Sequence, residues 1–184
     1  LEVGYPIVVK ADAPQFVHKT EHKVLRLDLR NGDEAGAAFR DLRGALDAVG
    51  GPSVIPIVAQ KMIRGGKEVI LGAFQDPQFG PVAMFGMGGI YVEVLKDVAF
   101  RVLPITDCDA AAMIRGIRGY PLLAGVRGEA PVDVASMEQM LLRLSQMMTG
   151  QTRIDSIDIN PSIVSGPAEA SAAVDARIRL RLAQ

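Results

Sequence analysis

Residues 79–93, FGPVAMFGMGGIYVE, run an apolar segment straight into Gly86, Gly88 and Gly89 and then on to a carboxylate, Glu93. Val82 to Phe85 read as a buried strand, because apolar side chains follow one another there without polar alternation. The chain then opens at Gly86. Glycines have no Cβ, so the backbone can take positive φ, approach another group closely and converge successive amides on an anion. A phosphate is one such anion, and a tight turn after a core strand is the plainer alternative. The spacing matches neither the Walker loop nor the dinucleotide fingerprint.

Working outward, the stretch is preceded by two strand-like runs, Ile57 to Ile63 and Glu68 to Phe74, with Gly65-Gly66 between them, which predicts a hairpin. Further back, PIVVKA at 6–11 is a short apolar strand carrying Lys10, a cation that either snorkels to the surface or faces a ligand. The loop QFVHKTE at 15–21 holds His18, whose neutral imidazole is a competent nucleophile beside Lys19 and Thr20; a surface histidine would look the same, and His22 follows closely. Val24 to Leu29 alternates like a strand with one wet face. Asn31 or Asp33 can cap a helix in which Ala38, Leu42, Leu46 and Val49 recur until Gly50-Gly51.

Downstream, Phe100 and Val102 suggest a strand with Arg101 pointing the other way. Thr106 or Asp107 caps a short helix, GYPLLAGVRG at 119–128 reads as a glycine-punctuated loop containing Arg127, and Asp133 opens a helix whose stripe of Met137, Met140, Leu141, Leu144 and Met148 is core. Ile154 to Ile159 alternates into Asn160-Pro161, and residues 172–180 read as a final strand. Asp158, Asn160 and Asp175 are hard oxygen donors that neighbouring strands could place on one magnesium ion, although solvated acids at strand ends are commoner.

The composition sets outer bounds. The 184 residues suffice for one large domain or two small lobes, and half the chain is hydrophobic with no tryptophan, so the core rests on aliphatic side chains and methionine. A formal charge of -1 argues against a general nucleic-acid or membrane-surface binder. Neither a basic leader nor a run long enough to cross a membrane is evident, so a cytoplasmic protein is expected. Cys108 is the single cysteine, and its acidic neighbours disfavour a reactive thiolate.

Taken together, GYPIVVK, VHKTE, the block QDPQFGPVAMFGMGGIYVEVLKDVAFRVLP, LLAGVRG, and IDINPS followed by VDARI make the chain resemble the ATP-grasp domain of the ADP-forming acyl-CoA synthetases, relatives of succinyl-CoA synthetase. That resemblance implies an α/β ATP-grasp fold of two lobes with mixed sheets: a partial small lobe at 1–60, lacking its N-terminal part, and a large lobe at 61–184. It implies ATP/ADP and Mg2+ as cofactors. Lys10, Gln60, Met62, Glu68, Gly86, Gly88 and Gly89 would bind nucleotide, Asn160 and Asp175 the metal. His18 would carry a phosphoryl group in transit to ADP, with Arg127, and Arg101 beside it, adding positive charge. The implied partners are CoA-binding and ligase domains or a subunit of the same synthetase, in a hetero- or homo-oligomer, with CoA and a carboxylic acid as the full enzyme's other substrates and neither nucleic acid nor membrane involved.

Two positions depart from the family pattern. His22-Lys23 stands where two glycines are usual, and Lys61 follows Gln60 where a glutamate is usual, removing a carboxylate that could meet the ribose or adenine. These changes favour an alternative, the degenerate ATP-grasp module of an acyl-CoA-synthetase-like protein acetyltransferase. The retained Lys10, His18, Asn160 and Asp175 favour the enzyme.

Overall fold

A computed structural model describes residues 3–12, 24–48, 55–89, 95–167 and 171–181. The chain divides into two compact units, Leu1–Arg64 and Gly65–Gln184.

In the first unit, β1 (Ile7–Ala11) lies between β2 (Leu25–Leu29) and β3 (Ile57–Lys61), and both pairings are antiparallel. The period of two along β1 turns Ile7, Val9 and Ala11 to one face, where they pack with Leu42 and Leu46 of α1 (Gly32–Ala48). Asn31 is the residue that starts α1. Its side-chain oxygen accepts from the Glu34 amide at 2.9 Å while Glu34 reaches back to the Arg30 amide at 2.8 Å. The expected end of this helix at Gly50-Gly51 lies outside the described residues.

The second unit is built on a larger sheet of order β6-β5-β4-β7-β8, with β9 also paired to β7. Its strands are β4 (Lys67–Asp76), β5 (Gly80–Met87), β6 (Val98–Val102), β7 (Ile154–Val164), β8 (Ala172–Ala173) and β9 (Ala176–Leu180). Three helices, α2 (Asp107–Gly116), α3 (Tyr120–Ala124) and α4 (Val134–Gly150), lie between β6 and β7 in sequence. Val69, Leu71, Phe85, Ile157 and Val164 from the sheet join Met113, Ile114, Met137, Leu141 and Met148 from α2 and α4 in one buried core. Among the described residues, no helix is long and apolar enough to cross a membrane.

Several expectations change. The sheets are not mixed, because every described strand pairing is antiparallel. A three-residue turn between β4 and β5 leaves no length for the crossover that parallel neighbours require. Nor do β3 and β4 form a hairpin: Gly65 and Gly66 both take positive φ, β3 pairs with β1, and β4 pairs with β5 and β7. The GYPLLAGVRG loop contains α3, which starts with Pro121 in its first turn and buries Leu123 completely. The final strand is split in two by Val174-Asp175.

Thr106, rather than Asp107, caps α2. Its hydroxyl accepts from the Asp109 amide at 3.3 Å, and the Asp109 carboxylate accepts from the Thr106 amide at 2.9 Å. The Thr106 amide, then its hydroxyl, holds the Asp109 carboxyl below its ordinary value, with Arg101 adding a smaller pull. A carboxyl with a lowered folded pKa stabilises the protein above its unfolded pKa, and that stability is lost as pH falls through the folded value. Asp109→Asn is therefore expected to flatten the acid limb of stability, read from melting temperatures between about pH 5 and pH 2.

Candidate functional site

On β1, Lys10 pairs with Val58 of β3 and Val8 pairs with Gln60, so Lys10 and Gln60 stand diagonally on one face of the small sheet. That face is opposite to the one packed on α1. Met62 continues the line beyond β3, its amide donating to the Pro6 carbonyl at 3.1 Å. Lys61, however, pairs with Ile7 and so belongs to the α1 face. The charge that replaces the family's glutamate therefore points away from the face shared by Lys10 and Gln60, which weakens the objection drawn from it.

In the second unit the strand predicted from Val82 to Phe85 is the middle of β5, and the glycines follow as expected. Their roles differ. A Cβ on Gly86 would stand 2.7 Å from the Asp97 carbonyl oxygen and 2.7 Å from Val98, so this glycine allows β6 to pack against β5. Gly88 donates its amide to the Glu68 carbonyl at 2.8 Å, and a Cβ there would lie 3.0 Å from Glu68. Gly89 has φ of +59°, and a Cβ there would meet a Glu68 carboxylate oxygen at 3.2 Å. Glu68, Gly88 and Gly89 are thus one cluster at the end of β5. Because Glu68 is negatively charged, a phosphate drawn to this turn would need a cation beside it.

Two residues along β4 from Glu68 the β4–β7 register slips: Val69 pairs with Ser162 and Leu71 with Ile159, so Ile70 faces both Asn160 and Pro161. This is a β-bulge, a place where a strand tolerates a proline that cannot donate and where a side chain can be re-aimed. The bulge brings Asn160 against the segment between β8 and β9: the Asn160 amide donates to the Asp175 carbonyl at 3.0 Å. Asp158 pairs with Arg177, and Arg177 lies 3.9 Å from the Asp175 carboxylate. Although the Asp158 side chain reaches solvent, crowding by its neighbours raises its pKa most; Arg177 pulls it down and Asp175 pushes it up.

The donor set fits magnesium. Among the described residues, no three His, Cys, Asp or Glu side chains cluster as a complete metal cage. A magnesium ion does not need one, since it takes one or two protein oxygens and fills its octahedron with water and phosphate oxygens. One carboxylate and one amide, Asp175 and Asn160, meet that pattern.

The remaining expectations separate from these clusters. Arg101 pairs with Ala83 and so shares the helix-covered face, its charge acting on Asp109. Arg127 is exposed, with φ of 53°, in the loop after α3. That loop borders a cleft of about 530 Å³ spanned by a Lys67–Glu129 ion pair of 2.6 Å. That ion pair ties the loop to Lys67, the residue before Glu68, although among the described residues no hydrogen bond or ion pair joins Arg127 itself to the glycine turn. His18, His22, Lys23 and Glu93 lie outside the described residues. Sequence reading missed Asp97, whose only signal was a lone acid before a strand, and missed Glu68 as the residue against which Gly88 and Gly89 pack.

A model of the ATP-grasp domain matches residues 1–180. The chain is 42% identical over 180 residues to the beta subunit of acetate–CoA ligase [ADP-forming] I of Pyrococcus furiosus, covering 97% of this chain and 77% of that one. Acetyl-coenzyme A synthetase 1 of Ca. Korarchaeum cryptofilum, solved with coenzyme A and Ca-AMPCP, superposes with a TM-score of 0.91 at 38% identity, covering 98% of this chain and 78% of that one. The same enzyme solved with coenzyme A and Mg-AMPPCP, its phosphohistidine segment pointing towards the nucleotide site, gives 0.82 at 37% identity over the same shares. With its glycine cluster at the end of β5, its bulge within β7 and these relatives across nearly its full length, the chain belongs to the ATP-grasp domain family, in the branch of the ADP-forming acyl-CoA synthetases.

Proposed function

We propose that this chain binds ATP and ADP with magnesium and passes a phosphoryl group between a histidine and ADP, as the nucleotide half-reaction of an acid–CoA ligase that forms ADP. What supports this reading most is the bulge at Asn160-Pro161, where the Asn160 amide donates to the Asp175 carbonyl in the segment between β8 and β9, so that two residues with oxygen-donor side chains adjoin. The first unit acts as the partial small lobe, where Lys10 neutralises nucleotide phosphate and Gln60 and Met62 line the base. The second acts as the large lobe.

Phosphoryl transfer asks little covalent chemistry of a protein beyond positioning and charge. Asn160 and Asp175 would hold the magnesium ion, which would supply the positive charge that the phosphates and Glu68 together require. His18 is the acceptor: its imidazole nitrogen takes the γ-phosphoryl of ATP, the bond from that phosphorus to the ADP oxygen breaks, and the ring proton leaves to solvent. In the synthesis direction the same nitrogen returns the phosphoryl group to ADP. The coenzyme A and acid sites belong to partner domains or a partner subunit of the same synthetase, and Arg127 adds positive charge to the transferred group. The matched ADP-forming ligases favour this enzyme over a degenerate regulatory module.

The test is to incubate the protein with magnesium and ATP labelled at the γ-phosphate. The expected product is an acid-labile, base-stable label on His18 that is discharged by ADP and absent from His18→Asn. Nucleotide binding without any label would overturn the transfer reading.

A further inference from the structure

We propose that Asp97 is a positioning residue for the glycine-rich turn at the end of β5, acting through Gly119 and Met87. Asp97 is 8% exposed and is the one buried acidic side chain among the described residues. Burying a charge is costly unless hydrogen bonds replace its water. Here both carboxylate oxygens are engaged: one accepts from the Arg118 amide at 2.7 Å, the other from the Gly119 amide at 2.6 Å. Such charge-assisted bonds are short and strong, and they fix the link between α2 and α3.

Gly119 is where that link meets the turn. A Cβ on it would stand 2.4 Å from Cγ of Met87 and 3.1 Å from Asp97, so the carboxylate holds a glycine flush against the last residue of β5. Met87 is 2% exposed, and the next residue, Gly88, is already bonded to Glu68. On the other side of the turn, the Asp97 carbonyl occupies the space that a Gly86 side chain would need. One residue therefore braces both Gly86 and, through Gly119, Met87. If Met87 shifts, Gly88 and Gly89 shift with it, because no side chain of their own anchors them.

The functional half of this inference rests on the reading that the turn serves the nucleotide. It is tested with Asp97→Asn, which keeps shape but turns an NH2 towards an amide that already donates, and with Gly119→Ala, which pushes on Met87 with Asp97 intact. Leu141→Ala, in the helical core, serves as the control for lost stability alone. In the full-length enzyme, both turn variants are expected to raise the KM for ADP about tenfold, with the KM for coenzyme A unchanged. They are also expected to speed amide exchange at residues 87–89 about tenfold relative to β7. Leu141→Ala should do neither at an equal loss of melting temperature. Turn variants that match Leu141→Ala in either readout overturn the proposal. If the wild-type enzyme turns over no nucleotide, it is the functional reading that fails, and the exchange rates at 87–89 alone then support or sink the bracing role.

Discussion

Replacing Asn160 and Asp175 together with alanine is expected to weaken magnesium-dependent binding of ATP and ADP by at least about 100-fold, or about 2.7 kcal/mol. The two residues offer one amide and one carboxylate oxygen from adjacent segments joined by the Asn160–Asp175 backbone bond of 3.0 Å. Losing both leaves the ion only water and the nucleotide's own phosphates. Fold should survive, since that bond runs from amide to carbonyl and neither substitution removes it. Calorimetric titration with and without a chelator, alongside circular dichroism, checks the result. Wild-type affinity retained in the folded double variant would refute the assignment of these two residues to the metal. Asp175→Asn should fall between, because an amide keeps the oxygen donor and gives up the charge.

Phe85→Ala is expected to carry the largest cost in stability, about 3–5 kcal/mol. Phe85 is completely buried in the middle of β5, directly opposite Leu71 on β4 and Ala99 on β6. Truncation removes the ring's burial and leaves a cavity between a sheet and helices held on both sides by backbone ladders, so the site can collapse only in part. Denaturant titration followed by far-ultraviolet circular dichroism would read the loss, and a change below about 1 kcal/mol would show that the core relaxes around the gap. Phe100, on the neighbouring strand but 44% exposed, serves as the contrast: its replacement should cost far less.

Much of this could be read from the sequence because it depends on local periodicity. The alternation in PIVVKA puts Lys10 opposite the buried Val9 and Ala11, and the same period separates Gln60 from Lys61. The helices declared themselves through Asn31, Thr106 and Asp133, each of which accepts from an amide three residues on. What could not be read was the identity of partners across the chain. Gly65-Gly66 marks a change of direction equally well whether the flanking strands pair or part. Gly86 looks like a phosphate glycine until Asp97 and Val98 are found in the space beside it, and those neighbours are set by how β6 returns. Asp97 and Gly119 are 22 residues apart, a separation over which no local pattern informs. Lys61 shows the converse, since a departure that weighed against nucleotide binding lost most of its force once its face of the strand was known.

The two-for-one pairing at Ile70 also works as a counter. Before it, Ile157 and Ile159 face the helices; after it, Ser162 and Val164 do, so the inward positions pass from odd to even numbers. Deleting either Asn160 or Pro161 would restore simple alternation and turn Val164, fully buried at present, to the opposite face. The proposed oxygen donor at 160 and the packing beyond it are therefore held in one frame. A lineage with no use for a metal there could substitute Asn160 freely, but could not shorten the strand at that point without also giving up core.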